Sequence, residues 1–223
     1  MKISSILIIA LAAGSLAAQD AAKLDGRIQV FAELYRPAQI VVAQSPGDIK
    51  DQPSRQTGVG FRLLGELPSH AGFYYELGGM FDGSSNFKIN NAGVIDLTDV
   101  KVTDSYWCLG AAYMGAVGEH LTLGAHLEAR GEYLRIQGQA IVNSSAVQVD
   151  SSTTYLRPWV RGSADYTFTG IGKENHPYIG IEAAFAITKT SQTQPPTFGS
   201  VDNRTLDSLA PRASAALYAG IRF

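Results

Sequence analysis

The chain has 223 residues, a formal net charge of −2, 17% charged residues and one cysteine. That length suits one domain or two small ones, and the even charge lacks the basic excess of a nucleic-acid binder. The 45% hydrophobic share excludes a disordered chain, and 23 glycines and ten tyrosines against three methionines favour β structure over a helical bundle.

The first segment reads MKISSILIIALAAGSLAAQ. Lys2 gives a short positive start, Ile6 to Ala13 an apolar run, and Ser15-Leu16-Ala17 or Leu16-Ala17-Ala18 small residues for cleavage. This predicts a secretory signal over residues 1–18 and a single domain over 19–223. The run is shorter than the ~20 residues a membrane-spanning helix needs, and no later segment is long and apolar enough to be one. Cys108 has no partner for an intramolecular disulfide and reads as a small buried filler.

After the signal the dominant pattern is two-residue alternation. It predicts eight strands, at about 26–36, 57–67, 72–82, 104–114, 121–133, 155–168, 178–188 and 212–223. One parity is apolar throughout, as in Ile28, Val30, Ala32 and Leu34, or Leu121, Leu123, Ala125, Leu127 and Ala129. The other carries the charges, and its strand cations are arginines rather than lysines. A packed polar interior favours Arg, whose planar fork pairs bidentately with carboxylates.

A soluble lipocalin-like barrel would put the apolar parity inside, around an apolar ligand; a membrane barrel puts it outside. Several features favour the membrane. Links at 37–56, 83–103, 134–154 and 189–211 are long, whereas those at 68–71, 115–120 and 169–177 are short, the alternation of extracellular loops with periplasmic turns. Phe73, Phe81, Trp107, Tyr113, Tyr133, Tyr166 and Phe223 sit near strand ends on the apolar face, as interfacial girdles do. The last strand carries Leu217, Ala219, Ile221 and a terminal Phe223 on one face.

That last strand resembles the carboxy-terminal signature of bacterial outer-membrane barrels. With the architecture, it makes the chain similar to the small eight-stranded family of the OmpA-transmembrane, OmpX and opacity-protein type. The resemblance implies an all-β, antiparallel up-and-down barrel in the outer membrane, in contact with its lipids. It also implies that the assembly machinery reads Leu217, Ala219, Ile221 and Phe223.

An eight-stranded barrel is filled by its own side chains, and charges buried there must be paired. The inward parity therefore predicts an ion-pair network of Glu33, Arg62, Glu76, Glu128, Arg130, Glu132, Arg157, Arg161, Asp165, Glu182 and Arg212. The competing reading of the same charges is a narrow, porin-like path. Residues 87–97 and 140–149 keep some alternation around Asn90-Asn91-Ala92-Gly93 and Asn143-Ser144-Ser145, and predict hairpins beyond the membrane. Their edges could pair with an extracellular protein or other surface ligand.

Three of the four histidines, His70, His120 and His176, fall in expected periplasmic turns, and His126 points into the lumen. A Ser–His–acid site at the cell surface cannot be built from these positions, although Asp82 and Asp104 could approach the outer rim. No metal-ligand spacing, phosphate-cradling glycine loop or basic patch is evident. The expectation is a monomeric, non-catalytic barrel without cofactor, metal or nucleic acid, structural or adhesion-like through its long loops.

Overall fold

The computed structural model describes residues 25–36, 38–43, 49–51, 55–68, 70–87, 90–91, 95–97, 100–169, 176–194 and 205–223. The expected signal segment lies outside the described residues, as do parts of the long loops. Eight strands form the main sheet: β1 (Gly26–Tyr35), β2 (Gln56–Glu66), β3 (Phe73–Phe87), β4 (Val100–Val117), β5 (Leu121–Val142), β6 (Ser145–Thr167), β7 (His176–Ala186) and β8 (Ala213–Arg222). Each pairs antiparallel with the next, and β8 returns to β1, from Arg27 opposite Arg222 to Tyr35 opposite Ser214. Closure leaves no free edge within the ring. No helix in the described residues is long and apolar enough to cross a membrane.

The strands are unequal. β4, β5 and β6 run for 18, 22 and 23 residues, against 10 or 11 for β1, β2, β7 and β8. β5 and β6 meet at Asn143-Ser144, both at positive φ (47° and 64°). This is the conformation that lets a two-residue turn follow the twist of a hairpin. In the link after β3, Asn90–Asn91 also pairs antiparallel with Ile95–Asp96. At the opposite end the connections are tight, with Gly72 (φ +82°) and Gly118 (φ +84°) in the left-handed region.

Which side chains face out changes along the strands. On the lower part of β5, Leu121, Leu123 and Leu127 are exposed while His126, Glu128, Arg130 and Glu132 are buried. From Leu134 upward the sense reverses: Leu134, Ile136, Ala140 and Val142 are buried, and Gln137 and Gln139 are exposed. β4 reverses likewise, with Val100 and Val102 buried beside exposed Lys101. So does β6, with Val149 and Tyr155 buried beside exposed Asp150 and Thr154. Apolar groups leave water wherever water surrounds the wall; below the reversal they face outward, which suits a surrounding of lipid. The lipid-facing band carries Phe73, Tyr113 and Tyr166 near the short turns and Phe81, Trp107 and Tyr133 near the reversal, all exposed.

Above the reversal lies a second apolar core. A four-stranded sheet, in the order Ser191–Gln194, Thr205–Leu209, Gln39–Ala43, Ile49–Asp51, is drawn from the links after β1 and before β8. Ala38, Ile40, Val42, Leu97 and Ala210 pack there against Val100, Val102, Leu134, Ile136, Val142, Val149 and Tyr155. The long links are thus organised as a cap.

Candidate functional site: the barrel lumen

Alternation carries every second residue of each strand inward, so the lumen is built by parity. It is filled in tiers. Nearest the short turns, Asp25 accepts from Arg222 Nε (2.7 Å), from Arg27 Nε (3.4 Å) and from the Tyr74 hydroxyl. Arg27 Nη1 also binds Asp165 (2.8 Å), and the Tyr218 hydroxyl donates to the other oxygen of Asp165 (2.6 Å).

In the middle tier, Arg62 lies between Glu182 (2.7 Å) and Glu76 (3.1 Å), and Arg161 binds both carboxylates as well. His126 Nδ1 is 2.9 Å from Glu76, and its Nε2 is 2.9 Å from the Ser163 hydroxyl. Next, Arg130 pairs with Glu128 (2.6 Å) and Glu33 (3.1 Å), with Tyr106 donating to Glu33. Its guanidinium lies between the rings of Tyr106 and Trp159, each 4.2 Å from the centroid, a geometry that recovers part of the cost of desolvating the cation. In the last tier, Arg157 and the Trp159 indole both donate to Glu132, each at 2.7 Å. A cavity of about 30 Å³ between this tier and the cap has room for roughly one or two waters.

The structure brings together Glu33, Arg62, Glu76, Glu128, Arg130, Glu132, Arg157, Arg161, Asp165 and Glu182, all buried. Arg212 is the exception. It precedes β8 and is exposed, so it takes no part in the lumen; the parity reading had extended the strand one residue too far. Asp25, Arg27, Tyr74, Tyr106, Trp159 and Tyr218 lie in the lumen outside the expected set, and Arg222, on the charged parity but not in the expected network, joins it through Asp25. Arg27 shares the parity of Glu33 and could have been found by carrying the alternation back to the start of β1. Asp25 lies before the strand and has no such signal. His176 opens β7, buried, rather than lying in a turn. Asp104 is buried, and the side chain of Asp82 lies outside the described residues.

Ser163, His126 and Glu76 form a Ser–His–acid chain that the sequence did not reveal. Arg161 Nη2, also 2.9 Å from His126 Nδ1, competes with Glu76 for that nitrogen and neutralises the carboxylate. Nδ1 thus faces an acceptor and a donor at the same distance, and the carboxylate that would orient the imidazole as a base is already shared with the guanidiniums of Arg62 and Arg161. Ser163 lines none of the four principal cavities. Glu76, Glu128 and Cys108 approach within 4.8 Å of one another, but Arg62, Arg130 and Arg161 already surround the two carboxylates. Below the reversal the charges lie inside and the apolar residues outside, the inverse of a soluble lipocalin-like barrel, which overturns that alternative.

The outward face of β8 presents Leu217, Ala219, Ile221 and Phe223, all exposed. The strand ends where Phe223 and Gly26 exchange backbone hydrogen bonds of 2.9 and 3.0 Å across the closing seam.

No protein-family model and no curated protein matches the sequence. Among solved structures, the chain is similar to OprG from Pseudomonas aeruginosa, at 12% identity over 89% of this chain and 95% of that one, with a TM-score of 0.57. It also aligns with the attachment invasion locus protein Ail of Yersinia pestis (12% identity, 89% and 98% covered, TM-score 0.40) and with Neisserial surface protein A (10%, 86% and 95%, 0.38). The likeness to OprG identifies the fold: the chain has the architecture of a small bacterial outer-membrane β-barrel.

Proposed function

We propose that this protein is a non-catalytic barrel of the bacterial outer membrane that acts as a structural and surface-interaction element and does not conduct. The carrying observation is the filling of the lumen: four tiers of arginine–carboxylate pairs, followed by an apolar cap, occupy the axis from the short turns to the long loops. Buried charges this closely paired are costly to separate, so an ion could pass only by breaking them. The exposed apolar band, bounded by aromatic residues, supports residence in a lipid bilayer.

The interaction surface lies outside the membrane, in the β5–β6 hairpin and the cap sheet. That sheet ends on Ile49–Asp51 at one side and Ser191–Gln194 at the other, two edges that can accept a strand from a partner. The barrel functions as a monomer, and the assembly machinery engages its β8.

Planar-bilayer recording tests the closed lumen. Reconstituted protein is expected to add no steady single-channel steps. A reproducible unitary conductance would overturn the reading in favour of a narrow channel.

A further inference from the structure

Just above the apolar band, four exposed cations cluster on one side of the ring. Arg36 follows the end of β1, Arg55 precedes β2, Lys189 follows β7 by three residues and Arg212 precedes β8. All four are exposed, and they arise on β7, β8, β1 and β2, four consecutive staves of the ring. No carboxylate whose side chain is described pairs with any of them. On the opposite wall, by contrast, Arg135 is held by Asp150 at 3.2 Å.

The surface here is concave. A cavity of about 370 Å³ lies among Arg36, Lys189 and Arg212, and a second of about 330 Å³ has Arg36 and Arg55 on its wall. The two share Arg36 and Ala213. The second is otherwise lined by Leu34, Tyr35, Ala183, Phe185, Ser214 and Ala215, with Leu34, Ala215 and Ala183 in one row across β1, β8 and β7. The next outward row down, Ala32, Leu217 and Ile181, belongs to a larger apolar groove of about 990 Å³ on the lipid-facing wall. The cationic pocket at the water boundary thus lies one outward row above an apolar groove on the hydrocarbon side.

We propose that this corner binds a phosphorylated lipid of the outer leaflet. The four cations hold its phosphate, and an acyl chain follows the groove between β1, β8 and β7. Arginine forks suit phosphate oxygens, and clustered cations at a membrane surface attract anionic headgroups. The proposal rests on the membrane-spanning arrangement and not on the closed lumen, so conductance and lipid binding fail independently.

The test uses the signal-free barrel in nanodiscs of phosphatidylcholine, with and without phosphatidic acid. Native mass spectrometry reads the lipid retained. Wild type is expected to retain phosphatidic acid over phosphatidylcholine. R36Q/R55Q/K189Q/R212Q is expected to lower that retention roughly tenfold or more, and R36K/R55K/R212K to keep most of it. Heat-modifiable gel migration checks the folding of each variant, and the milder R36Q/R212Q stands in should the quadruple fail to fold. Equal retention by wild type and the glutamine variants would overturn the proposal. So would displacement of phosphatidic acid by inorganic phosphate at matched concentration, which would mark a site for a soluble anion.

Discussion

Arg157 joins the lumen to the cap: its Nε donates to Glu132 at 2.7 Å, and its Nη2 donates to the backbone carbonyl of Pro211 at 2.5 Å. A third donor, Nη1, reaches the carbonyl of Thr188 at 3.4 Å. One side chain therefore fixes both ends of the link that supplies two of the cap strands. Arg157→Ala should free that link without opening the membrane barrel. Limited proteolysis is expected to cut within residues 188–211 of the variant and spare wild type, while both keep heat-modifiable migration. Equal protection of the two would show that the cap does not depend on this tether.

The charged groups of the Arg130 tier are deeply enclosed, with Arg130, Glu128 and Glu33 each at most 2% exposed. Arg130→Leu removes the cation from Glu33 and Glu128 together and leaves buried carboxylates uncompensated, at a cost of about 3–5 kcal/mol. The urea midpoint in detergent or lipid should fall accordingly. An unchanged midpoint would mean that the pairs contribute nothing net to stability.

Trp107 lies flat across Gly131, its partner in register on the adjacent strand. A Cβ on Gly131 would stand 2.0 Å from the indole, so Gly131→Ala must displace the ring. The expected loss is about 1–3 kcal/mol, with a shift in tryptophan emission. In a Trp107→Ala background the same change should cost far less, and a double-mutant cycle measures the difference. Additive losses would rule out a direct clash.

Ser144 holds φ 64° in the β5–β6 turn, a conformation that costs a non-glycine residue roughly 1–2 kcal/mol. Ser144→Gly creates the favoured Asn-Gly pair and should raise the thermal midpoint of the cap. A lowered midpoint would show that the serine makes a contact worth more than its strain.

Ser163 should be inert. An active-site serine probe such as a fluorophosphonate is expected to leave the folded barrel unlabelled. Labelling that is lost in Ser163→Ala would convert the Ser163–His126–Glu76 chain from packing to chemistry.

The barrel could be read from the sequence because lipid-facing alternation is a local property. Leu121 through Tyr133 reports β5 by itself, and its even positions report the charges. The upper strands escaped because the rule that located the lower ones reverses at Leu134. Leu134 and Ile136 occupy the parity that held Glu128 and Arg130, so a search for a constant apolar face stops there. The hairpin around Asn143-Ser144 was recoverable as local alternation, though not its continuity with β5 and β6. The cap sheet was hidden for a different reason: it joins residues near 40 to residues near 207, a pairing that no local pattern encodes. Arg212 was misplaced by a single residue, because alternation fixes a strand's phase better than its end.

The cap also constrains the order in which the molecule can be completed. Its core takes Ile40 from near the start of the chain, Leu97 from the middle and Ala210 from near the end, so no segment emerging alone could bury it. In the finished fold the pairing of β8 with β1 holds the two terminal links on the same side of the ring, where these pieces meet. Long-range closure of this kind is slow relative to local hairpin formation. The cap therefore reports on the whole ring: losing the register of either β1 or β8 would separate the pieces of its core.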